Sequence, residues 1–276
     1  MTNTPTRITF VGGGNMARSL IGGLVRAGKH GADIAVAEPN ADQRAALASD
    51  FGVTVCDNAA DAARDADAVV LAVKPQVMKA VCTSLGEIAW PRKPLIVSIA
   101  AGIRIEQIDT WLGGGYAVVR TMPNTPALIG AGAAGLVANA RADARQRELA
   151  QRILDAAGLA VWIADEALMD TVTALSGSGP AYFFLLVEAL EDAAVAQGLP
   201  RETARALAAQ TCLGAGRMLR EDGAAPAALR QRVTSPNGTT QAAVESFEAN
   251  GLRALVAGAV AAATRRGQEL SAHPGG

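Results

Sequence analysis

Apolar positions in the first 165 residues fall into short β-branched runs separated by segments of helical period. Ile8-Thr9-Phe10-Val11 reads as a buried strand, and Met16, Leu20 and Leu24 then recur four apart, as one face of a helix ending near Gly28 requires. Runs at 34–37, 69–73, 95–99, 117–119, 136–138 and 161–163 predict further strands. Helices are expected over 42–49, 59–64, 76–88, 105–112 and 144–156. This alternation predicts an α/β fold: a mostly parallel, doubly wound sheet with helices on both faces. After Asp165 the strand signal fades, and helical periods at 167–175, 181–197, 202–220, 227–232, 240–249 and 252–270 predict an all-helical second domain. The expected division is therefore 1–165 and 166–276, and it rests on the change of class alone.

Composition narrows the chemistry. The 276 residues carry 25 Lys plus Arg against 26 Asp plus Glu, a net charge of −1, which leaves no cationic excess for a phosphate backbone and argues against nucleic-acid partners. Half the chain is apolar and 29 residues are Gly, a composition of globular rather than disordered protein. Cys56, Cys82 and Cys212 form no CxxC or disulfide framework, and Met1 to Thr6 lacks the basic and apolar regions of a signal peptide, so a reducing cytoplasm is expected. Two uncharged stretches, 121–140 and 171–187, are interrupted by Pro, Gly and polar residues; they read as buried protein segments, and no membrane partner is expected. With His30 and His273 the only histidines, the latter three residues from the C-terminus, a Ser/His/Asp triad has little to work with and zinc sites built from His and Cys are disfavoured by the same count, so a bound cofactor is expected to carry the reactive chemistry.

That cofactor has a candidate seat. Gly12-Gly13-Gly14-Asn15-Met16-Ala17 follows the first strand and opens the first helix, a G-x-G-x-x-A pattern in the context of a Rossmann-type dinucleotide fold. Gly12 allows the tight turn, Gly14 admits a pyrophosphate to the backbone, and Ala17 keeps helix and strand close, while the free N–H groups of the helix start attract phosphate. An acidic residue is expected about 20 positions further on, and Glu38 ends the second strand there. A carboxylate at this point accepts from the ribose hydroxyls of NADH and repels the 2′-phosphate of NADPH; Asn40 and Arg44, just beyond, offer the opposite preference if Glu38 turns away. Ala72-Val73-Lys74-Pro75 and Ser98-Ile99-Ala100-Ala101-Gly102 leave the carboxyl ends of later strands, where ligands of open α/β sheets bind.

Three further segments make the pattern specific: Arg120-Thr121-Met122-Pro123-Asn124-Thr125-Pro126, Leu175-Ser176-Gly177-Ser178-Gly179-Pro180-Ala181-Tyr182, and Val233-Thr234-Ser235-Pro236-Asn237-Gly238-Thr239-Thr240. With the glycine loop and the Ala72–Pro75 turn, and in this order from about Arg7 to Leu270, the chain resembles the Δ1-pyrroline-5-carboxylate reductases. The resemblance implies NADPH- or NADH-dependent reduction of the ring C=N of pyrroline-5-carboxylate to L-proline, and a helical domain that interleaves two subunits into a homodimer, with decamers as five such dimers.

Carried onto this chain, the resemblance gives Ser235, Gly238, Thr239 and Thr240 as the substrate-carboxylate loop and Thr240 as the catalytic hydroxyl that bonds the ring nitrogen. The same segment, taken on its residues, also reads as plain helix capping by Ser235 or Thr239. The candidate cofactor set is Gly12, Gly14, Asn15, Met16, Glu38, Asn58, Ala72, Val73, Lys74, Pro75, Ala100, Met122 and Asn124, the last two either walling the nicotinamide or lying in a rigid crossover set by Pro123 and Pro126. The chain departs from the family where Asn237 replaces the usual Gly, and where Ala224-Ala225 stand in place of a Glu-His pair found in some members. The rival readings are a 3-hydroxyacid-type dehydrogenase, which normally carries a catalytic Lys in the helical domain whereas this chain has no Lys after Lys93, a related imine reductase, and a non-catalytic dinucleotide sensor.

Overall fold

The computed structural model describes residues 6–88, 90 and 92–272; His273 lies outside them, as do Met1–Pro5. The chain begins with β1 (Ile8–Val11), α1 (Asn15–Arg26), β2 (Ile34–Ala37), α2 (Ala41–Phe51), β3 (Thr54–Cys56) and α3 (Ala59–Ala63). It continues through β4 (Ala68–Leu71), α4 (Pro75–Gly86), β5 (Leu95–Ser98), α5 (Ile105–Trp111), β6 (Val118–Met122), β7 (Gly132–Ala138), α6 (Ala144–Asp155) and β8 (Gly158–Trp162). The eight strands form one sheet in the order β3-β2-β1-β4-β5-β6-β7-β8. The first six run parallel, with Ile8 opposite Ile34 on one side and Ala68 on the other; β7 runs antiparallel to β6, and β8 parallel to β7. The order of winding reverses between β1 and β4, so the carboxyl ends of β1, β2 and β4 surround a switch-point crevice.

Because β1, β4 and β5 are covered on both faces, their residues are uniformly buried and read in sequence as continuous apolar runs rather than alternating ones. One face packs Phe10, Leu20, Ile21, Leu47 and Ile153, from β1, α1, α2 and α6. The other packs Leu71, Met78, Cys82, Leu85 and Ile108, from β4, α4 and α5. Local chemistry sets the helix starts: Asn40 Oδ1 accepts from Gln43 N–H to cap α2, Pro75 opens α4, and Asp143 and Gln146 exchange side-chain-to-backbone bonds at the start of α6.

The expected strand at 117–119 stopped short of Arg120, which runs against burial rules, yet β6 continues to Met122. Arg120 is buried because its guanidinium meets Glu166 Oε1 at 3.1 Å and Asp170 Oδ1 at 3.5 Å. The helix expected over 167–175 is instead a 3₁₀ turn at Glu166–Leu168, a short α7 (Met169–Val172) and a π-helical segment at Thr173–Gly177, where Ser178 N–H donates to Thr173 O at 2.8 Å. Thr173 and Ser176 hydroxyls donate to the carbonyls of Met169 and Val172, competing with the regular ladder.

Beyond this lie α8 (Gly179–Ala196), α9 (Arg201–Glu221), α10 (Pro226–Arg232), α11 (Thr239–Ala249) and α12 (Leu252–Ala272). The chain forms two compact units: one runs to Ser178 and resumes at Ala263, the other is Gly179–Ala262. The last turns of α12 belong to the sheet-containing unit, where Ser271 Oγ donates to Asp170 Oδ1 at 3.1 Å. In the helical unit few side chains are covered: α8 buries only Gly179 and Glu191, while Phe183, Phe184, Leu185, Leu207, Leu213, Leu255 and Val256 are exposed.

Candidate active site

At the end of β1 the chain turns through Gly12 with φ +102°, and a Cβ there would lie 2.6 Å from the Ala72 carbonyl oxygen. Only glycine fits this approach of two strand exits. Gly14 differs: no atom lies within 4 Å of where its Cβ would stand, and it and Asn15 are exposed. The first helical bond of α1 runs from Arg18 N–H to Gly14 O, which leaves the N–H groups of Asn15, Met16 and Ala17 without helical partners, and no acidic residue stands in that first turn. An open, donor-rich helix start beside a side-chain-free backbone fits a pyrophosphate.

The other expected cofactor residues follow the carboxyl ends of the parallel strands, the same end of the sheet as the glycine loop. Glu38 follows β2 directly, and its Oε2 accepts from Gly13 N–H and its Oε1 from Asn40 N–H, both at 2.9 Å. Ala72 to Pro75 link β4 to α4, Ala72 N–H donating to Val11 O at 2.8 Å, and exposed Lys74 occupies the cap position of α4. Ala100 follows β5 and is buried, and Met122 ends β6 with its side chain against Gly177. Asn58 lies past β3, where its Oδ1 accepts from Ala60 N–H at 2.7 Å and Asp61 N–H at 3.2 Å and caps α3. Asn124 is held internally: its Oδ1 accepts from Ala133 N–H and its Nδ2 donates to Ser176 O, each at 2.9 Å.

Two contributors lay outside the sequence-derived set. Gly13 supplies the N–H that fixes Glu38 and packs on Leu47, a role hidden at a variable position of the motif. Arg120, two residues before Met122 on the same strand face, anchors the segment that runs from Glu166 to Gly177; an arginine within an apolar run was its only signal.

The substrate-loop residues lie in the helical unit. Ser235 O accepts from Gly238 N–H at 3.0 Å, closing a turn in which Asn237 has φ 60°, the one non-glycine residue with positive φ among the described residues. Asn237 N–H donates to Gln241 Oε1 at 2.7 Å, a bond that helps hold this left-handed residue where the resemblance expects Gly. Gly238 precedes α11, whose first helical bond joins Ala242 N–H to Gly238 O. Neither Ser235 nor Thr239 caps it through a side chain, so the capping alternative is not the one adopted. The N–H groups of Thr239, Thr240 and Gln241 are left for an anion, and both threonines are exposed.

Elsewhere, the three cysteines are free, no cluster of potential metal ligands occurs among the described residues, and no described helix is long and apolar enough to cross a membrane. Burial pushes the Cys82 thiol up to about 12 and raises that of Cys56.

A doubly wound sheet with its glycine loop at the switch point, followed by a helical unit, defines a dinucleotide-binding protein of the two-unit Rossmann class. Residues 7–102 match the family described as NADP oxidoreductase, coenzyme F420-dependent, and residues 166–270 match pyrroline-5-carboxylate reductase dimerisation. The pyrroline-5-carboxylate reductase of Pseudomonas aeruginosa is 55% identical over 269 residues, 98% of each chain. A solved pyrroline-5-carboxylate reductase from Coxiella burnetii superimposes with a TM-score of 0.94 at 44% identity, over 97% of this chain and 99% of that one. That of Plasmodium falciparum, solved with NADP bound, gives 0.80 at 28% identity over 98% and 99%. The chain belongs to the pyrroline-5-carboxylate reductase family.

Proposed function

We propose that this protein reduces the ring C=N of pyrroline-5-carboxylate to give L-proline, using NADH or NADPH. The observation that carries the reading is the Ser235–Thr240 turn, in which the exposed start of α11 offers backbone N–H donors and two hydroxyls but no titrating group. The 55% identity to the Pseudomonas aeruginosa reductase along essentially the whole chain supports the same conclusion. When bound, the nicotinamide supplies a hydride for the imine carbon.

The chain's own residues then have separate tasks. The N–H groups of Thr239, Thr240 and Gln241 hold the substrate carboxylate, and the Thr240 hydroxyl hydrogen-bonds the ring nitrogen, donating to a neutral imine or accepting from an iminium. A cyclic imine protonates readily, so the nitrogen needs a positioned hydrogen bond more than a strong acid, in keeping with a site without histidine. Gly12, Gly14 and the first turn of α1 hold the pyrophosphate, and Ala72–Pro75, Ala100 and Met122 border the rest of the nucleotide, with Asn124 bracing the Met122 loop. Asn58 acts there as a cap that orders the β3 exit.

The uncovered apolar helices of the Gly179–Ala262 unit support a homodimer built through them, with a second copy supplying the missing core. A decamer of five dimers is the larger assembly implied by the family, and the cytoplasm the compartment suited to three free cysteines. The test is proline formation from pyrroline-5-carboxylate with each nucleotide, run beside 3-hydroxyacids and other cyclic imines, with light scattering on the same sample. Turnover of a 3-hydroxyacid in preference to the imine, or nucleotide binding without any turnover, rejects the reading; a stable active monomer at micromolar concentration rejects the dimer.

A further inference from the structure

Glu38 is the only acidic side chain bonded to the glycine loop among the described residues, and its geometry answers a question that the family leaves open, which of the two nucleotides the chain prefers. Each carboxylate oxygen already accepts one backbone N–H, from Gly13 and from Asn40, both at 2.9 Å. The side chain is half-buried, and its Cβ and Cγ pack 3.3 Å from where a Gly13 side chain would begin. Turning the carboxylate outward breaks both bonds and leaves the N–H of buried Gly13 without its acceptor. An ionised carboxylate has about four acceptor positions, so roughly two remain. They suit the two hydroxyl donors of an adenosine ribose and oppose the dianion of a 2′-phosphate.

Arg44 stands at the same turn without pairing to that carboxylate. Its Nη1 donates to the carbonyl oxygens of Glu38 and Pro39, at 2.7 and 2.8 Å, so the guanidinium is held by main chain whatever side chain occupies position 38. We propose that Glu38 makes this chain select NADH over NADPH, and that Arg44 and the Asn40 N–H form a latent 2′-phosphate site that the Glu38 carboxylate keeps closed. The proposal rests on the reading that the Gly12–Ala17 loop holds a dinucleotide.

Equilibrium binding of NADH and NADPH, followed by nicotinamide fluorescence without substrate, tests it on the full-length protein. Wild type is expected to bind NADH at least roughly 10-fold more tightly, the factor that 1.4 kcal/mol of charge repulsion produces. Glu38→Ser is expected to reverse that order, and Glu38→Ser combined with Arg44→Ala to lose the gained NADPH affinity. Glu38→Gln, which keeps the shape and removes the charge, is expected to bring the two affinities together and serves if the serine variant misfolds. Equal binding of both nucleotides by wild type, tighter NADPH binding, or a ratio unmoved by either substitution overturns the selection while leaving the dinucleotide reading intact. Failure of wild type to bind either nucleotide overturns both.

Discussion

Replacing Thr240 by valine isolates the chemistry proposed for the substrate loop. The two side chains are nearly isosteric, and the substitution exchanges a hydroxyl for a methyl at the second position of α11. Thr240 is exposed and its hydroxyl makes no hydrogen bond among the described residues, so nothing within the chain is lost. Valine and threonine have similar helix propensities, and a surface change of this kind shifts stability by no more than about 0.5 kcal/mol. The effect on catalysis is larger, because a hydrogen bond to a charged group is worth about 1.5–3 kcal/mol, or roughly 10- to 150-fold in kcat/KM. Thermal melting, NADH titration and steady-state reduction of pyrroline-5-carboxylate should be run on one preparation. The expected result is an unchanged melting curve, unchanged nucleotide affinity and a 10- to 150-fold loss in kcat/KM, the range set by that bond. A folded Thr240→Val variant with wild-type kcat/KM would remove the hydroxyl from the mechanism.

The remaining predictions separate neighbouring roles. Gly12→Ala places a Cβ 2.6 Å from a carbonyl oxygen at φ +102°, and should lower both the melting temperature and nucleotide affinity; Gly14→Ala meets no protein atom and should lower nucleotide affinity alone, as titration and melting will show. Asp170→Ala leaves the buried Arg120 guanidinium with Glu166 as its remaining carboxylate, and should destabilise the fold by about 3 kcal/mol in urea unfolding. The Cys82 thiol, raised by burial from 9.0 to about 12, should resist iodoacetamide at pH 8 until the protein unfolds. Because its folded value is the higher one, the stability it contributes is complete below pH 9 and lost as pH rises towards about 12, which alkaline melting curves can follow.

Much of the nucleotide unit was legible because each signal is local. Apolar strands covered on both faces give continuous runs, and Gly12 answers to a backbone constraint that no other residue meets, while Gly14 keeps open the space a ligand would take. β3 escaped because it is three residues long, lies at the sheet edge and has no fully buried residue. Arg120 escaped because its partners, Glu166 and Asp170, lie far along the chain, and no local rule anticipates a buried arginine. The same holds for the return of α12 to the first unit, fixed by a Ser271–Asp170 bond across 101 residues. Asn124 reads in sequence as either a nicotinamide wall or part of a rigid proline-bounded crossover, and the tie its amide makes between Ala133 and Ser176 depends on tertiary pairing that no local signal shows. In the helical unit the apolar faces were visible, and they stay uncovered in a single chain, which is why helical period alone cannot say what packs against them.

In the proposed reaction this chain delivers a hydride from the nicotinamide to the imine carbon of pyrroline-5-carboxylate. Reduction with NADH carrying deuterium at nicotinamide C4, in the transferable position, tests it most directly, with the product analysed by mass spectrometry and NMR. The expected product is L-proline with one deuterium on the ring carbon that was double-bonded to nitrogen. Failure to form proline, or proline with no deuterium at that carbon, would contradict it.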